Sequence, residues 1–370
     1  MAKKILLLYI TISSGHHKAS LAVEKAIKTL SPDTETMSIN SFNYTNPILE
    51  KIINKTYMGI IRRTPEVWEY LYDNPKVVKN TQNLKAAMHK YNSKKMLSLV
   101  NDFKPDVICA TQAFPCGITA EIKKSFNVNA ALVGVLTDFY PHSYWVYDSV
   151  DRYVVASETA KQRLVNDGIP ENKIKILGIP IDPKFSQVKS RDIIREKFNL
   201  DKNKPVILVM GGGQGLGPIK AIAHVLEKIP IDAQVVIVAG TNVKLYKYLI
   251  KKTAGYKKRF IILEYSDAID ELMQAADVIV TKPGGITASE ALAKSLPIII
   301  INPIPGQEAK NSKFLIESGA AVKADNQHEL SVLLESLLYT PLKLRAMSQA
   351  ANKISKPNSS MDVANMVLGL

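Results

Sequence analysis

Cysteine is nearly absent from this 370-residue chain, which has only Cys109 and Cys116. One such pair builds neither a disulfide framework nor a zinc site, so both read as ordinary thiols in a reducing cytoplasm. No stretch offers the roughly 20 consecutive apolar residues of a membrane-crossing helix. Met-Ala-Lys-Lys before Ile5–Ile10 imitates the start of a signal peptide. The apolar run is short, however, and Ser13-Ser14-Gly15-His16 follows where a small-residue cleavage site would stand. A buried parallel strand explains the run better, and the expected location is cytoplasmic with peripheral membrane contact. Internal repeats and low-complexity tracts are also lacking, which excludes solenoids and repeat arrays. Acids are outnumbered, 34 against 48 lysines and arginines, for a net charge of +14 and a pI near 9.4. Such a surface attracts anions, whether nucleotides, acidic lipid or nucleic acid.

What is present is ordinary globular material, 46% hydrophobic and 22% charged. At roughly 150 residues per domain the length favours two domains. Strand-length apolar runs alternate with amphipathic stretches. Ile5–Ile10, Asp106–Ala110, Ala130–Leu136 and Arg152–Ala156 are predicted strands. Lys18–Leu30 is a predicted helix with Leu21, Ala22, Ala26 and Ile27 on its apolar face. The alternation restarts after Gly178-Ile-Pro-Ile-Asp-Pro183 with strands Val206–Met210, Gln234–Ala239, Phe260–Leu263, Val278–Thr281 and Ile298–Ile301. This predicts an α/β protein of two Rossmann-like, doubly wound parallel-sheet domains facing a central cleft. The boundaries fall at 1–180 and 181–345, with a helical segment 346–370 packing back on the first domain. In such sheets ligands sit beyond the carboxyl ends of the strands.

Residues 44–100 interrupt the pattern. Tyr44, Tyr57, Trp68, Tyr70, Tyr72 and Tyr91 are interleaved with ten lysines and arginines, from Lys51 to Lys95, and few acids. A helical insertion of this composition suits an anionic membrane interface. The plainer alternative is an exposed helical hairpin with a solvated basic face.

Five loops carry groups capable of chemistry. Ser13-Ser14-Gly15-His16-His17 stands between the first strand and the first helix, where a histidine can act as general base; a polar surface loop is the alternative. Gly211-Gly-Gly-Gln-Gly-Leu-Gly217 follows a strand but breaks the dinucleotide spacing Gly-x-Gly-x-x-Gly. No Gly-Lys-Ser/Thr follows it either. What remains is a turn that lets backbone approach a phosphate, or a tight packing turn. Lys282-Pro-Gly284-Gly285-Ile286-Thr287-Ala-Ser-Glu290 is a turn opening a helix. The helix N-terminus would face a diphosphate, and Glu290 would hold a ribose through its two hydroxyls. Thr287 and Glu290 as a capping box are the structural alternative. Asn302-Pro-Ile-Pro-Gly-Gln307-Glu308, with Asn311, offers amides and a carboxylate to sugar hydroxyls, or a helix cap. Thr137-Asp138-Phe-Tyr-Pro-His142-Ser-Tyr-Trp145 mixes an acid, a histidine and aromatics. Asp138 is a second candidate base, and His142 and Trp145 would line an acceptor channel. No Asp-x-Asp motif appears, so neither metal nor cofactor is expected.

These strings resemble the family 28 glycosyltransferases. They are closest to the branch of the monogalactosyldiacylglycerol synthases and processive diacylglycerol glucosyltransferases. Gly211–Gly217, Lys282–Glu290, Pro303–Glu308, Gly15-His16, Thr137-Asp138 with His142 and Trp145, and Gly178-Ile-Pro-Ile181 carry the likeness, over roughly residues 3 to 350. The resemblance implies a GT-B fold and inverting hexose transfer from UDP-glucose or UDP-galactose to diacylglycerol, at an anionic membrane surface and without nucleic acid. It implies that Gly211, Gly212, Gly213, Gly284 and Gly285, with Ile286 and Thr287, meet the diphosphate. Glu290 then holds the ribose, and Gln307 and Glu308 meet the sugar. Gly15, His17, His142 and Trp145 fall on the acceptor side, and His16 or Asp138 is the base. Where the family often has a glycine before Gly15, this chain has Ser13 and Ser14. Three other functions fit parts of the pattern: a transferase acting on a lipid-linked peptidoglycan precursor, a UDP-sugar epimerase, and a non-catalytic basic binding protein.

Overall fold

The computed structural model describes residues 2–11, 14–45 and 82–370. The described strands form two sheets, each of six parallel strands. The first contains β1 (Lys4–Tyr9), β2 (Glu35–Asn40), β3 (Val107–Ala110), β4 (Ala131–Val135), β5 (Arg152–Val155) and β6 (Ile174–Ile176), in the order β2-β1-β3-β4-β5-β6. The second contains β7 (Val206–Met210), β8 (Gln234–Val238), β9 (Phe260–Leu263), β10 (Val278–Thr281), β11 (Ile298–Ile301) and β12 (Ala321–Ala324), in the order β12-β11-β10-β7-β8-β9. Central strands such as Ile5–Leu8 and Ile207–Val209 are completely buried, because helices cover both faces of a parallel sheet. That is why these strands are unbroken apolar runs. Three strands carry no such run. β2 is an edge strand of mixed polarity (ETMSIN), β6 has three residues, and β12 reads AVKA.

Both orders reverse direction once. In the first sheet the reversal lies between β1 and β3, and in the second between β7 and β10. At such a point the loops leave neighbouring strands toward opposite faces, and a crevice opens at the carboxyl edge. The opposite edge is stitched at both places by an aspartate standing just before a strand. The Asp106 carboxylate accepts from Lys4 N at 2.7 Å, joining the starts of β3 and β1. The Asp277 carboxylate accepts from Val206 N at 2.8 Å, joining β10 and β7.

The chain divides into two compact units. One comprises Met1–Pro183, Ile304–Lys310 and Asn358–Leu370; the other comprises Lys184–Pro303 and Asn311–Pro357. The last helix, Ser359–Leu368, buries Val363, Ala364 and Val367 with Val23, Ala26 and Ile27 of the first helix, Gly15–Leu30. The hydroxyl of Ser359 donates to the Ile179 carbonyl at 2.8 Å. The first helix begins three residues earlier than its apolar pattern indicates, because Ser14 caps it. Its buried face is Ala19, Ala22, Val23, Ala26 and Ile27, whereas Leu21 is 45% exposed and lies on the opposite side. Of the basic, aromatic stretch 44–100, residues 46–81 lie outside the described residues, and the remainder from Gln82 belongs to the helix Gln82–Phe103.

Arg195 is the most heavily engaged cation of the second unit. Its guanidinium is nearly inaccessible. It donates to Asp277 Oδ2 at 2.8 Å and to the carbonyls of Ala275 and Lys202 at 3.1 and 2.8 Å. Asp277 is the stitching residue of β7 and β10, so Arg195 and the sheet edge share one network. Arg195→Met should take from the Asp277 carboxylate one of its two guanidinium partners, Arg191 keeping the other at 2.6 Å, and remove the buried donor to the Lys202 carbonyl, destabilising the second unit by about 1–3 kcal/mol. Hydrogen exchange of peptides spanning residues 190–280 reads this directly, and unchanged protection there would contradict it.

Candidate active site

The β1/β3 crevice holds the first group of functional side chains. Ser14, with extended backbone, accepts from His17 N through its hydroxyl at 3.2 Å and caps the helix Gly15–Leu30. This fixes Gly15 and His16 in the first helical turn. His16 Nδ1 lies 3.0 Å from the Thr111 carbonyl, just past β3, and 2.8 Å from Thr137 Oγ1, just past β4. The Thr111 hydroxyl in turn donates to the His16 carbonyl at 2.8 Å. A carbonyl oxygen can only accept, so the proton of the neutral ring sits on Nδ1 and Nε2 carries the lone pair. Burial pushes the His16 pKa down from 6.5 to about 4, partly opposed by the bond to Thr111. His16 is therefore a neutral imidazole of fixed tautomer near pH 7, the state a general base requires. His17 points elsewhere: its ring stacks on Tyr9 with centroids 4.3 Å apart, and burial also lowers its pKa.

Asp138 is half-buried and follows Thr137 directly in the loop after β4. Further along that loop, the His142 ring lies 5.5 Å from that of Tyr144 and 6.2 Å from that of Trp145. Trp145 is almost wholly buried in the core of the first unit, and its carbonyl accepts from Tyr153 Oη at 2.7 Å.

The β7/β10 crevice holds the second group. The glycines of the loop after β7 divide by what surrounds them. A Cβ at Gly211 would lie 2.1 Å from the Leu216 carbonyl oxygen, and one at Gly215 2.1 Å from that of Ala239. At Gly240 it would lie 2.3 Å from the Gly213 oxygen. Gly211 lets the loop close on itself, and Gly215 and Gly240 let it pack against the end of β8, where Thr241 N donates to Gly213 O at 2.9 Å. Around Gly212 and Gly284, by contrast, a Cβ would meet nothing within 4 Å. Those two positions leave open room beside backbone, as a ligand's approach requires.

Gly284 is the N-cap of the helix Gly285–Ala293, and the first helical hydrogen bond runs from Ala288 N to Gly284 O at 2.9 Å. The N–H groups of Gly285, Ile286 and Thr287 precede that bond and make a positive helix end. Thr287 is thus inside the first turn, and with Gly284 as the cap the capping-box reading does not apply. The Glu290 carboxyl side chain is buried one turn further along. Two bonds hold the turn: Thr281 Oγ1 to Met210 O at 2.9 Å, and Asn311 Nδ2 to Pro283 O at 3.1 Å. Gln307 and Glu308 lie in Ile304–Lys310, the segment that belongs to the first unit; they open the helix Gln307–Glu317, and Glu308 Oε2 accepts from Ile304 N at 2.8 Å. One carboxylate oxygen therefore serves as a cap.

Thr111 was invisible to motif reasoning. A hydroxyl residue at a strand end is common, and only the β1–β3 neighbourhood gives it meaning. The clamp of Gly240 and Thr241 on the glycine loop has a faint signal, a glycine ending the strand next in sequence.

Two Rossmann-type units, one with an ordered imidazole and one with a glycine turn before an anion-ready helix end, make up a GT-B fold. Residues 16–181 match the family described as monogalactosyldiacylglycerol (MGDG) synthase, and residues 190–354 match glycosyl transferases group 1. A processive diacylglycerol beta-glucosyltransferase of Bacillus licheniformis is 31% identical over 97% of this chain and 92% of its own length. One from Bacillus thuringiensis is 30% identical over 99% and 93%. The chain belongs to this family of diacylglycerol glycosyltransferases. Among solved structures, the fold is similar to Acinetobacter baumannii MurG (TM-score 0.67, 14% identity, all of both chains). It is also similar to UDP-GlcNAc 2-epimerase from Neisseria meningitidis (TM-score 0.63, 14% identity, 99% of this chain and 100% of that one).

The His16 geometry has a pH consequence. Burial disfavours the charged ring, so the neutral base persists well below pH 6.5 and is lost only as pH falls toward about 4. The acid limb of kcat/KM should then be absent between pH 7.5 and 5.5; a limb centred near 6.5 would exclude His16 in this state as the base. The glycines give a second expectation. Gly284→Ala should fold normally, within about 1 kcal/mol, yet bind UDP at least tenfold more weakly by calorimetry. Gly215→Ala, at φ +57° and against a carbonyl, should lose more than about 1 kcal/mol of stability. Equal UDP affinity of Gly284→Ala and the parent would remove the diphosphate from that turn.

Proposed function

We propose that this protein transfers glucose from UDP-glucose to diacylglycerol, with inversion at the anomeric carbon, on the inner face of the cell membrane. The observation that carries the mechanism is the 3.0 Å contact between His16 Nδ1 and the Thr111 carbonyl, which assigns the ring proton to Nδ1 and the lone pair to Nε2. In this reading Nε2 takes the proton from the acceptor hydroxyl. The oxygen attacks the anomeric carbon from the face opposite UDP, the C–O bond to the diphosphate breaks, and UDP leaves with the bonding pair. Negative charge growing on the diphosphate is met by the N-terminus of Gly285–Ala293 and by backbone at Gly212 and Gly284, donors already oriented before reaction. Glu290 accepts from the ribose hydroxyls, and Gln307 and Glu308 meet the sugar. The first unit serves the acceptor, through Gly15, His17, His142 and the loop ending at Trp145, with residues 44–100 against the bilayer. The second unit holds the donor. Asp138 assists His16 from the adjacent loop position.

Glucose is favoured over galactose because curated relatives at 30–31% identity over nearly the whole chain are named glucosyltransferases. Incubating the protein with diacylglycerol liposomes and either UDP-glucose or UDP-galactose, then extracting lipid, tests the reading. Glucosyl diacylglycerol should form, and His16→Ala should lower turnover by about 10² or more. Isomerised UDP-sugar without acceptor, or product only with a lipid-linked muropeptide, would overturn it.

A further inference from the structure

The second unit carries a basic and apolar surface that the transfer reaction does not use. The helix Val243–Thr253 (VKLYKYLIKKT) packs inward through Leu245 and Leu249. It contains no acid. Its outward arc carries Lys244, Lys247 and Lys251, spaced three and four residues apart on one face. Val243 and Ile250 border this stripe on one side and Tyr248 on the other, 51%, 45% and 40% exposed. Lys252 follows at the rim. Lys220, from the neighbouring helix Ile219–Lys228, places its ammonium 4.2 Å from the centre of the Tyr248 ring and adds a fifth cation. Glu227, on that same neighbouring helix, spends its carboxylate on the backbone N–H groups of Lys257 and Lys258, at 2.8 and 3.2 Å. Among the described residues, no carboxylate forms an ion pair with Lys220, Lys244, Lys247, Lys251 or Lys252.

Like charges at this spacing repel and weaken a helix standing alone in water. Large apolar side chains set beside them add unfavourable hydration. An anionic bilayer relieves both: its headgroups neutralise the lysines while the short apolar side chains enter the interface. A structured polyanion such as RNA would satisfy the charge but leave Val243 and Ile250 without partners. We propose that the outward face of Val243–Thr253, with Lys220, is a docking surface for anionic lipid. It gives the second unit its own membrane contact, distinct from the expected one at residues 44–100. This rests on membrane residence of the protein but not on the identity of its acceptor.

The test uses the full chain and vesicles of phosphatidylcholine with 30% phosphatidylglycerol, free of diacylglycerol, in a sedimentation assay. The parent should bind, more weakly as salt rises. Lys244→Gln/Lys247→Gln/Lys251→Gln should reduce affinity at least tenfold. Lys-to-Arg at the same three sites should retain it, and Tyr248→Ser/Ile250→Ser should weaken binding without removing the salt dependence. UDP affinity and transfer to detergent-dispersed diacylglycerol should be unchanged in every variant, which separates a failed fold, or a wrong reading of the reaction, from a failed surface. Full vesicle binding by the glutamine variant would overturn the proposal. So would loss of RNA binding in that variant while vesicle binding stays intact.

Discussion

In a parallel sheet every strand ends on the same edge, and the chemistry of this protein is built on that constraint. Among the described strands each sheet reverses its order once, and there neighbouring loops part. In the first sheet that place receives His16 and Thr111 from the ends of β1 and β3. In the second it receives the glycine loop and the Pro283-Gly284 turn from the ends of β7 and β10. The aspartates at the far edge, Asp106 and Asp277, hold the same strand pairs together where no ligand needs room.

The two crevices solve opposite electrostatic problems. Near His16 the task is to keep a group uncharged, and burial does that while a carbonyl and a hydroxyl aim its one proton. At Gly284–Thr287 the N–H groups ahead of the first helical bond supply a fixed positive end, suited to a negative group. Neither device depends on surface charge, so the net charge of +14 is free to serve other contacts.

Much of this was legible in the residues. Buried parallel strands are continuous apolar runs, so β1, β7, β10 and β11 could be bounded closely. The glycine and Lys282–Glu290 motifs mark two strand-to-helix turns, and the strand ends where they stand could be read directly. What was not legible depends on pairing. β2 and β6 lie toward the first sheet's margins and lack the pattern that burial on two faces imposes. Leu21 shows that apolar spacing fixes a helix face only to within a residue. Thr111 acquires a role only when β1 and β3, separated by about a hundred residues of chain, lie side by side. The division of the glycines into those that pack and those that leave space is likewise a property of the folded loop, since all are identical in the sequence.

The packing of Ser359–Leu368 onto Gly15–Leu30 bears on how the protein comes into being. Most of the first unit precedes the second in the chain, yet Val23, Ala26 and Ile27 of its first helix stay bare on one side until Ser359–Leu368 arrives. A ribosome releases that helix only after the whole second unit has been made. The first unit is therefore completed only after the second has been made, and during synthesis the imidazole-bearing half waits, incompletely covered, while the other half can already close its core.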